Sequence, residues 1–196
     1  MPSPDRLNET FGVRIYKEYF NFACAHFLIF DDGTREELHG HNYQATFQIE
    51  GDIGPDSDLF MDFLLIKPMV KAVCDSLDHR TIFPQFNAHL EIGVLDEAHY
   101  RVVYQGRDVY TVPKRDTLIL PIPNTSSERL AEYLCKQTLR AMVAQYPQAR
   151  ITFVEFSVEE SRGQAALYRQ HYAQARPLCE LVALLDQVPQ DKLVTA

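Results

Sequence analysis

The stretch Leu38-His39-Gly40-His41-Asn42-Tyr43 carries two imidazoles two residues apart. On an extended chain such residues point to the same side of the backbone. Gly40 between them lets the chain turn or approach another group closely. Neutral imidazoles held as a pair are good ligands for zinc, although surface or core histidines give the same pattern. The candidate third ligand is His26, which lies before the turn signal Asp31-Asp32-Gly33 and within hairpin reach of the pair. Three imidazoles leave one tetrahedral position open, the pattern of a catalytic rather than a structural zinc site.

Other residues could do chemistry near such an ion. Asp78 and His79 are adjacent in Leu77-Asp78-His79. A carboxylate that accepts from a histidine ring nitrogen sets its tautomer and basicity. Neighbours on a helix do not face each other, so either the backbone leaves helical geometry there or the histidine takes a different carboxylate partner. The alternative is a histidine interacting with the dipole at a helix C-terminus. Glu36 and Glu37 stand just upstream of His39, as a general base or as a solvated charged loop. Glu159 and Glu160 close an otherwise apolar strand. A carboxylate there is either plain surface or a partner for a guanidine-like edge through two parallel hydrogen bonds. Cys24 shares strand parity with His26 and is a further candidate base.

The elements that must position these residues read as follows. Residues 12–20 form a strand that continues irregularly to Phe30, and residues 42–50 alternate as a half-buried strand. A helix follows Asp62, with Ile66, Val70, Val73 and Leu77 on one face, and ends near Asp78. Residues 99–112 form a β-hairpin around Gln105-Gly106-Arg107, and 117–123 form a short extended piece. Thr125 to Glu128 fits a capping box with Thr125 as the cap. The helix behind it runs to about Gln145, burying Ala131, Leu134, Cys135, Thr138 and Met142, and Tyr146-Pro147 stops it. Residues 151–159 and 165–171 form an antiparallel pair, followed by a short helix over 178–185 and a frayed tail. The simplest layered solution is an α+β fold, an antiparallel sheet with two helices on one face and an added hairpin. One domain is expected over residues 1–196, with its core at about 12–171, a loosely attached start over residues 1–9 and a tail over 172–196.

Composition narrows the partners. The 196 residues carry a formal net charge of −8, with a pI near 5.3. Nucleic acid and anionic membranes call for a basic field, so neither is an expected partner. The N-terminus lacks the apolar core of a signal peptide, and no apolar run could span a bilayer, so a cytoplasmic location is expected. The four cysteines lie far apart with no CxxC spacing, which reads as buried small hydrophobes rather than a disulfide framework.

Taken in order, FNFACAHF, LHGHNY, MDF with LDHRTIF, and VEES with LYR resemble the 6-pyruvoyl tetrahydropterin synthase family, over about residues 12–170. That family includes the 6-carboxytetrahydropterin synthases of queuosine biosynthesis. The resemblance implies a tunnelling fold (T-fold), a homohexamer of two stacked trimers with active sites between subunits, and 7,8-dihydroneopterin triphosphate as substrate. It implies His26, His39 and His41 as zinc ligands, and Asp78 with His79 as the catalytic Asp-His. Glu160 would anchor the pterin, and Thr125 and Ser126, in Asn124–Glu128, would line its pocket. The sequence departs from the common members in having no cysteine in residues 30–38. Arg35-Glu36-Glu37-Leu38 instead resembles a subclass in which glutamate replaces that cysteine. Members of that subclass cleave the side chain to 6-hydroxymethyl-7,8-dihydropterin. Glu36 is then the expected base, with Glu37 and Cys24 as alternatives. The expected product is the hydroxymethyl or the 6-pyruvoyl pterin. The competing readings are a 6-carboxytetrahydropterin synthase and a pterin- or purine-binding relative without catalysis. Candidate cations for the triphosphate are Arg35, Lys67, Arg80 and Arg101.

Overall fold

The computed structural model describes residues 10–54 and 58–186. The expectations for residues 1–9 and for the end of the tail lie outside them. The elements in chain order are β1 (Phe11–Ile15), β2 (Asn21–His26), β3 (His39–Gly51), α1 (Phe63–Asp75), β4 (Arg80–Pro84), β5 (Leu90–Val94), β6 (His99–Tyr104), β7 (Asp108–Pro113), β8 (Thr117–Leu120), α2 (Ser127–Val143), β9 (Arg150–Ser161), β10 (Gln164–Pro177) and α3 (Leu178–Asp186). The architecture is α+β, as expected.

β3 organises the main sheet. Tyr43, Ala45, Phe47 and Ile49 are fully buried on one face, the result of strict period-2 alternation. The strand expected over 12–20 is two strands, because the chain breaks at Tyr16–Phe20, where the Phe20 amide donates to the Lys17 carbonyl at 2.8 Å. Both pieces lie along β3, from Phe11 opposite Gly51 to Ile15 opposite Phe47, and from Asn21 opposite Gln44 to His26 opposite His39. β9 pairs with the other edge of β3, and β10 with β9. These pairings are antiparallel. β4 and β8 extend the sheet beyond β2 in parallel, which an antiparallel expectation missed. Parallel pairing needs a long crossover; here β3 with α1 separates β2 from β4, and the segment carrying β5 to β7 separates β4 from β8. The expected hairpin is β6–β7, and β5 adds a third strand, giving a small second sheet.

Helices cover one face. α1 buries Ile66, Val70, Val73 and Cys74, and its N-cap Asp62 accepts from the Leu64 amide. α2 buries all five residues predicted for its inner face, together with Leu130 and Leu139. Its cap is Ser126, not Thr125, whose hydroxyl faces inward and donates to the Phe27 carbonyl at 2.8 Å. α3 packs beside α2. Cys24, Cys74 and Cys135 are buried, and all four cysteines are free thiols. Among the described residues no helix is long and apolar enough to cross a membrane.

Gly51 ends β3 against the start of β9. A Cβ built there would lie 1.9 Å from the Arg150 carbonyl oxygen and 2.8 Å from Phe60 Cε2. Backbone cannot yield by that much without breaking the ladder. Gly51→Ala is expected to lower unfolding free energy by about 2 kcal/mol or more, read as a lower urea midpoint with an unchanged slope.

Candidate metal centre

Three adjacent strands become polar at the same end of the same face. On β3 the inward row Ile49, Phe47, Ala45, Tyr43 continues as His41 and His39. On β2, Phe22 and Cys24 lead to His26. On β9, Val154, Phe156 and Val158 lead to Glu160. Cross-strand register sets His26 opposite His39 and Cys24 opposite His41. Val158 opposes Ala45, so Glu160, two residues on, falls beside Tyr43. A β-bulge leaves Glu160 with no register partner on β10, since Glu159 pairs with Ala165 and Ser161 with Gln164. Bulges of this kind re-aim a side chain. Gly40 does not turn the chain. It stays extended within β3, where an added Cβ would sit 3.1 Å from the Cys24 carbonyl.

One ring nitrogen from each of His26, His39 and His41 lies within 4.8 Å of the other two. His26, 1% exposed, donates from Nδ1 to the Thr125 carbonyl at 3.0 Å. His39 donates from Nδ1 to the Glu37 carbonyl at 2.8 Å. A carbonyl only accepts, so in both rings Nδ1 carries the proton and Nε2 keeps its lone pair. That is the arrangement in which a histidine ligates a metal while a second group fixes its tautomer. Burial, and then the neighbouring His39, push the His26 pKa down, so this ring is neutral as a ligand must be. The donor set therefore fits a metal that favours imidazole, zinc being the usual one.

Glu160 and Tyr43 complete the floor. Glu160 Oε1 lies 3.4 Å from His41 Nε2 and 3.7 Å from His26 Nε2. The buried Tyr43 hydroxyl sits 2.9 Å from His26 Nε2 and donates to Glu160 Oε1 at 3.1 Å. Sequence reasoning placed Tyr43 only in the apolar row. The missed signal was the hydroxyl, because a tyrosine buried in such a row requires a polar partner. Glu159, one residue before Glu160, turns instead to the β9–β10 hairpin and accepts from the Gly163 amide.

The loop before β3 separates its two glutamates. Glu36 Oε2 accepts from the Leu28 amide at 3.2 Å and stands 3.9 Å from His39 Nε2. The Glu37 side chain is 97% exposed and turned toward Arg35. Cys24 lies on the metal face, but burial first, and then Asp78 and Glu160, raise its thiol to about 12. At neutral pH that leaves roughly one thiolate in 10⁵ molecules, and the exposure of Glu37 leaves Glu36 as the carboxylate placed at the cluster.

Asp78 and His79 do meet, and through the departure from helix geometry that their adjacency requires. α1 ends at Asp75, and His79 takes a left-handed φ of +56°. The His79 amide donates to the Ala23 carbonyl at 2.7 Å, and the Ala23 amide donates to Asp78 Oδ1 at 2.7 Å. Asp78 Oδ2 then stands 2.8 Å from His79 Nδ1. The Ala23 amide bond pulls the Asp78 pKa down, with the His79 contact adding to it. His79 and Arg80 share an open cavity of about 410 Å³ with His41 and Cys24. Glu160 also lines, with Ser126, Ser127 and Gln164, a cavity of about 330 Å³.

Two expected roles change. Thr125 was expected on the pocket wall, but it is fully buried. Its hydroxyl bonds to Phe27 and its carbonyl orients His26. Arg35 was a candidate phosphate ligand, but its guanidinium donates to the Glu36 carbonyl and to Asp108, and its side chain is 14% exposed.

Comparison with known proteins bears on the family and the fold. A family model described as 6-pyruvoyl tetrahydropterin synthase matches residues 14–171. A Methanocaldococcus jannaschii protein, named provisionally as a 6-carboxy-5,6,7,8-tetrahydropterin synthase, is 33% identical over 150 residues, 76% of this chain and 90% of that one. A Pyrococcus furiosus dihydroneopterin monophosphate aldolase is 37% identical over 62 residues, 32% of this chain and 51% of that one. Among solved structures, the Plasmodium falciparum 6-pyruvoyl tetrahydropterin synthase superposes with a TM-score of 0.76 at 32% identity, covering 84% of this chain and all of that one. The Plasmodium vivax enzyme, solved with a catalytic glutamate replaced by alanine, gives 0.75 at 29% identity over the same shares.

Replacing His26, His39 or His41 singly by alanine is expected to remove most of the bound metal, measured by elemental analysis of the purified protein. Cys24 in the native fold is expected to resist iodoacetamide at pH 8 and to react fully in urea, as peptide mapping by mass spectrometry would show.

Proposed function

The chain belongs to the 6-pyruvoyl tetrahydropterin synthase family, and from that premise we propose that it is a zinc-dependent lyase cleaving the side chain of 7,8-dihydroneopterin triphosphate to 6-hydroxymethyl-7,8-dihydropterin. The observation that carries the reading is the position of Glu36, whose carboxylate stands 3.9 Å from His39 Nε2. Bound at His26, His39 and His41, the metal would act as a Lewis acid toward the substrate's side-chain hydroxyls.

The chain's own residues supply the rest. Glu160 receives the guanidine-like edge of the pterin through two parallel hydrogen bonds, its orientation set by Tyr43. Ser126 lines the same cavity. Glu36 removes the proton from the hydroxyl on the second side-chain carbon. As that hydroxyl becomes a carbonyl, the bond between the first two carbons breaks, and its electron pair passes to the first carbon, conjugated with the pterin. A proton delivered there completes the hydroxymethyl product. His79, held by Asp78 and exposed to solvent, is the group suited to exchange that proton. The Plasmodium vivax relative with a catalytic glutamate and the Pyrococcus furiosus aldolase support this reading. The name of the Methanocaldococcus jannaschii relative favours a second one, conversion of the same substrate to 6-carboxytetrahydropterin. A homohexamer in the cytoplasm, with active sites completed between subunits, belongs to the same proposal.

Incubation of the metal-loaded protein with 7,8-dihydroneopterin triphosphate should give 6-hydroxymethyl-7,8-dihydropterin by mass. A 6-carboxy or 6-pyruvoyl product would replace the proposed reaction with another of the family. Glu36→Gln is expected to lower kcat by about 10² to 10⁴ with metal content unchanged, whereas Glu37→Gln leaves kcat within about twofold.

A further inference from the structure

The small sheet β5-β6-β7 stands outside the metal centre, yet several of its side chains converge on the loop that carries Glu36. Arg35 is the point of contact. Its guanidinium lies over the rings of Phe27, Tyr104 and Tyr110, at 5.3, 5.4 and 5.7 Å from their centroids. Nη2 donates to Asp108 Oδ2 at 2.7 Å and Nε donates to the same oxygen at 3.2 Å. Nη1 donates to the Glu36 carbonyl at 2.7 Å. Two residues before Arg35, the Gly33 carbonyl accepts from the Tyr104 hydroxyl and from Gln105 Nε2. Tyr104, Asp108 and Tyr110 lie on β6 and β7, and Gln105 lies in the turn between them.

We propose that this small sheet is a platform that positions Glu36, with Arg35 as the positioning residue between them; the proposal rests on the reading of Glu36 as the base. Glu36 is gripped at three points. Its amide donates to the Leu28 carbonyl at 3.0 Å, its carboxylate accepts from the Leu28 amide, and its carbonyl is held by Arg35. The first two bonds tie it to the chain leaving β2, and the third ties it to the small sheet. A flat aromatic box closed by one carboxylate matches a planar guanidinium, and lysine cannot reproduce that fork. Phosphate binding explains Arg35 less well, because all three of its guanidinium nitrogens already donate within the fold. Displacing a catalytic group by about 1 Å costs on the order of 10²-fold in rate.

The test is steady-state turnover of 7,8-dihydroneopterin triphosphate by Arg35→Lys and Asp108→Asn, alone and combined with Glu36→Gln, with metal content and thermal midpoint measured alongside. Arg35→Lys is expected to lower kcat by about 10- to 100-fold with KM and metal content unchanged. Asp108→Asn, half-exposed and thus tolerant of exchange, moves kcat in the same direction by less and decides the matter if Arg35→Lys does not fold. Neither substitution lowers kcat further once Glu36 is glutamine. Parental kcat in both variants, with Glu36→Gln lowered as expected, overturns the platform and leaves the base in place. A further equal loss in the Glu36→Gln background also overturns it, because Arg35 then acts on the fold as a whole. Full turnover by Glu36→Gln overturns the base, and the platform with it.

Discussion

The register of β3 against β2 is the constraint on which the rest depends. A strand's side chains alternate with period two, so a slip of one residue would turn the whole row over. Tyr43, Ala45, Phe47 and Ile49 would leave the core, and His39 and His41 would leave the side that His26 occupies. Full burial of Phe47 or Ile49 contributes about 1.5–3 kcal/mol each. The force that packs the core thus also brings the three imidazoles together. No separate device is needed to align them, because they continue the rows that the apolar residues begin.

Rows deliver side chains to one place but do not orient their polar atoms. Backbone carbonyls perform that second task. The Thr125 carbonyl on the approach to α2 and the Glu37 carbonyl before β3 each fix one ring. Asn124 holds Thr125 in place by bonding both the amide and the carbonyl of Ile29. The Tyr43 hydroxyl donates to Glu160 and stands beside His26, which places that carboxylate against the histidine cluster. A buried polar group left unpaired costs about 1–3 kcal/mol, which is why this network holds one arrangement.

The two sheets divide the labour between them. The main sheet carries the imidazoles and Glu160, whereas Glu36 hangs from a loop held between the end of β2 and the small sheet. On the proposed reading, the metal and the pterin pocket belong to the scaffold, and the choice of base belongs to a loop that can differ without disturbing the core. The loop's second glutamate shows how fine that placement is, since Glu37, one residue on, is exposed and turned toward Arg35.

Much of this was legible in the residues themselves. Periodicity alone marks β3, β9, the buried face of α2 and the shared side of His39 and His41, because burial on one face imposes a repeat that needs no knowledge of the partner. The adjacency of Asp78 and His79 left open whether the helix breaks there, and the left-handed turn at His79 decided it. Tertiary structure decided what depends on distant chain segments. The parallel joining of β4 and β8, the third strand of the small sheet and the inward turn of Thr125 arise from crossovers and packing that no local pattern encodes. The enclosure of Arg35 by rings from β2's end, β6 and β7 is of the same kind, and so is the separation of Glu36 from Glu37. Two neighbouring carboxylates are chemically alike in a sequence; bonds to Leu28, eight residues away, and to Arg35 set Glu36 toward His39.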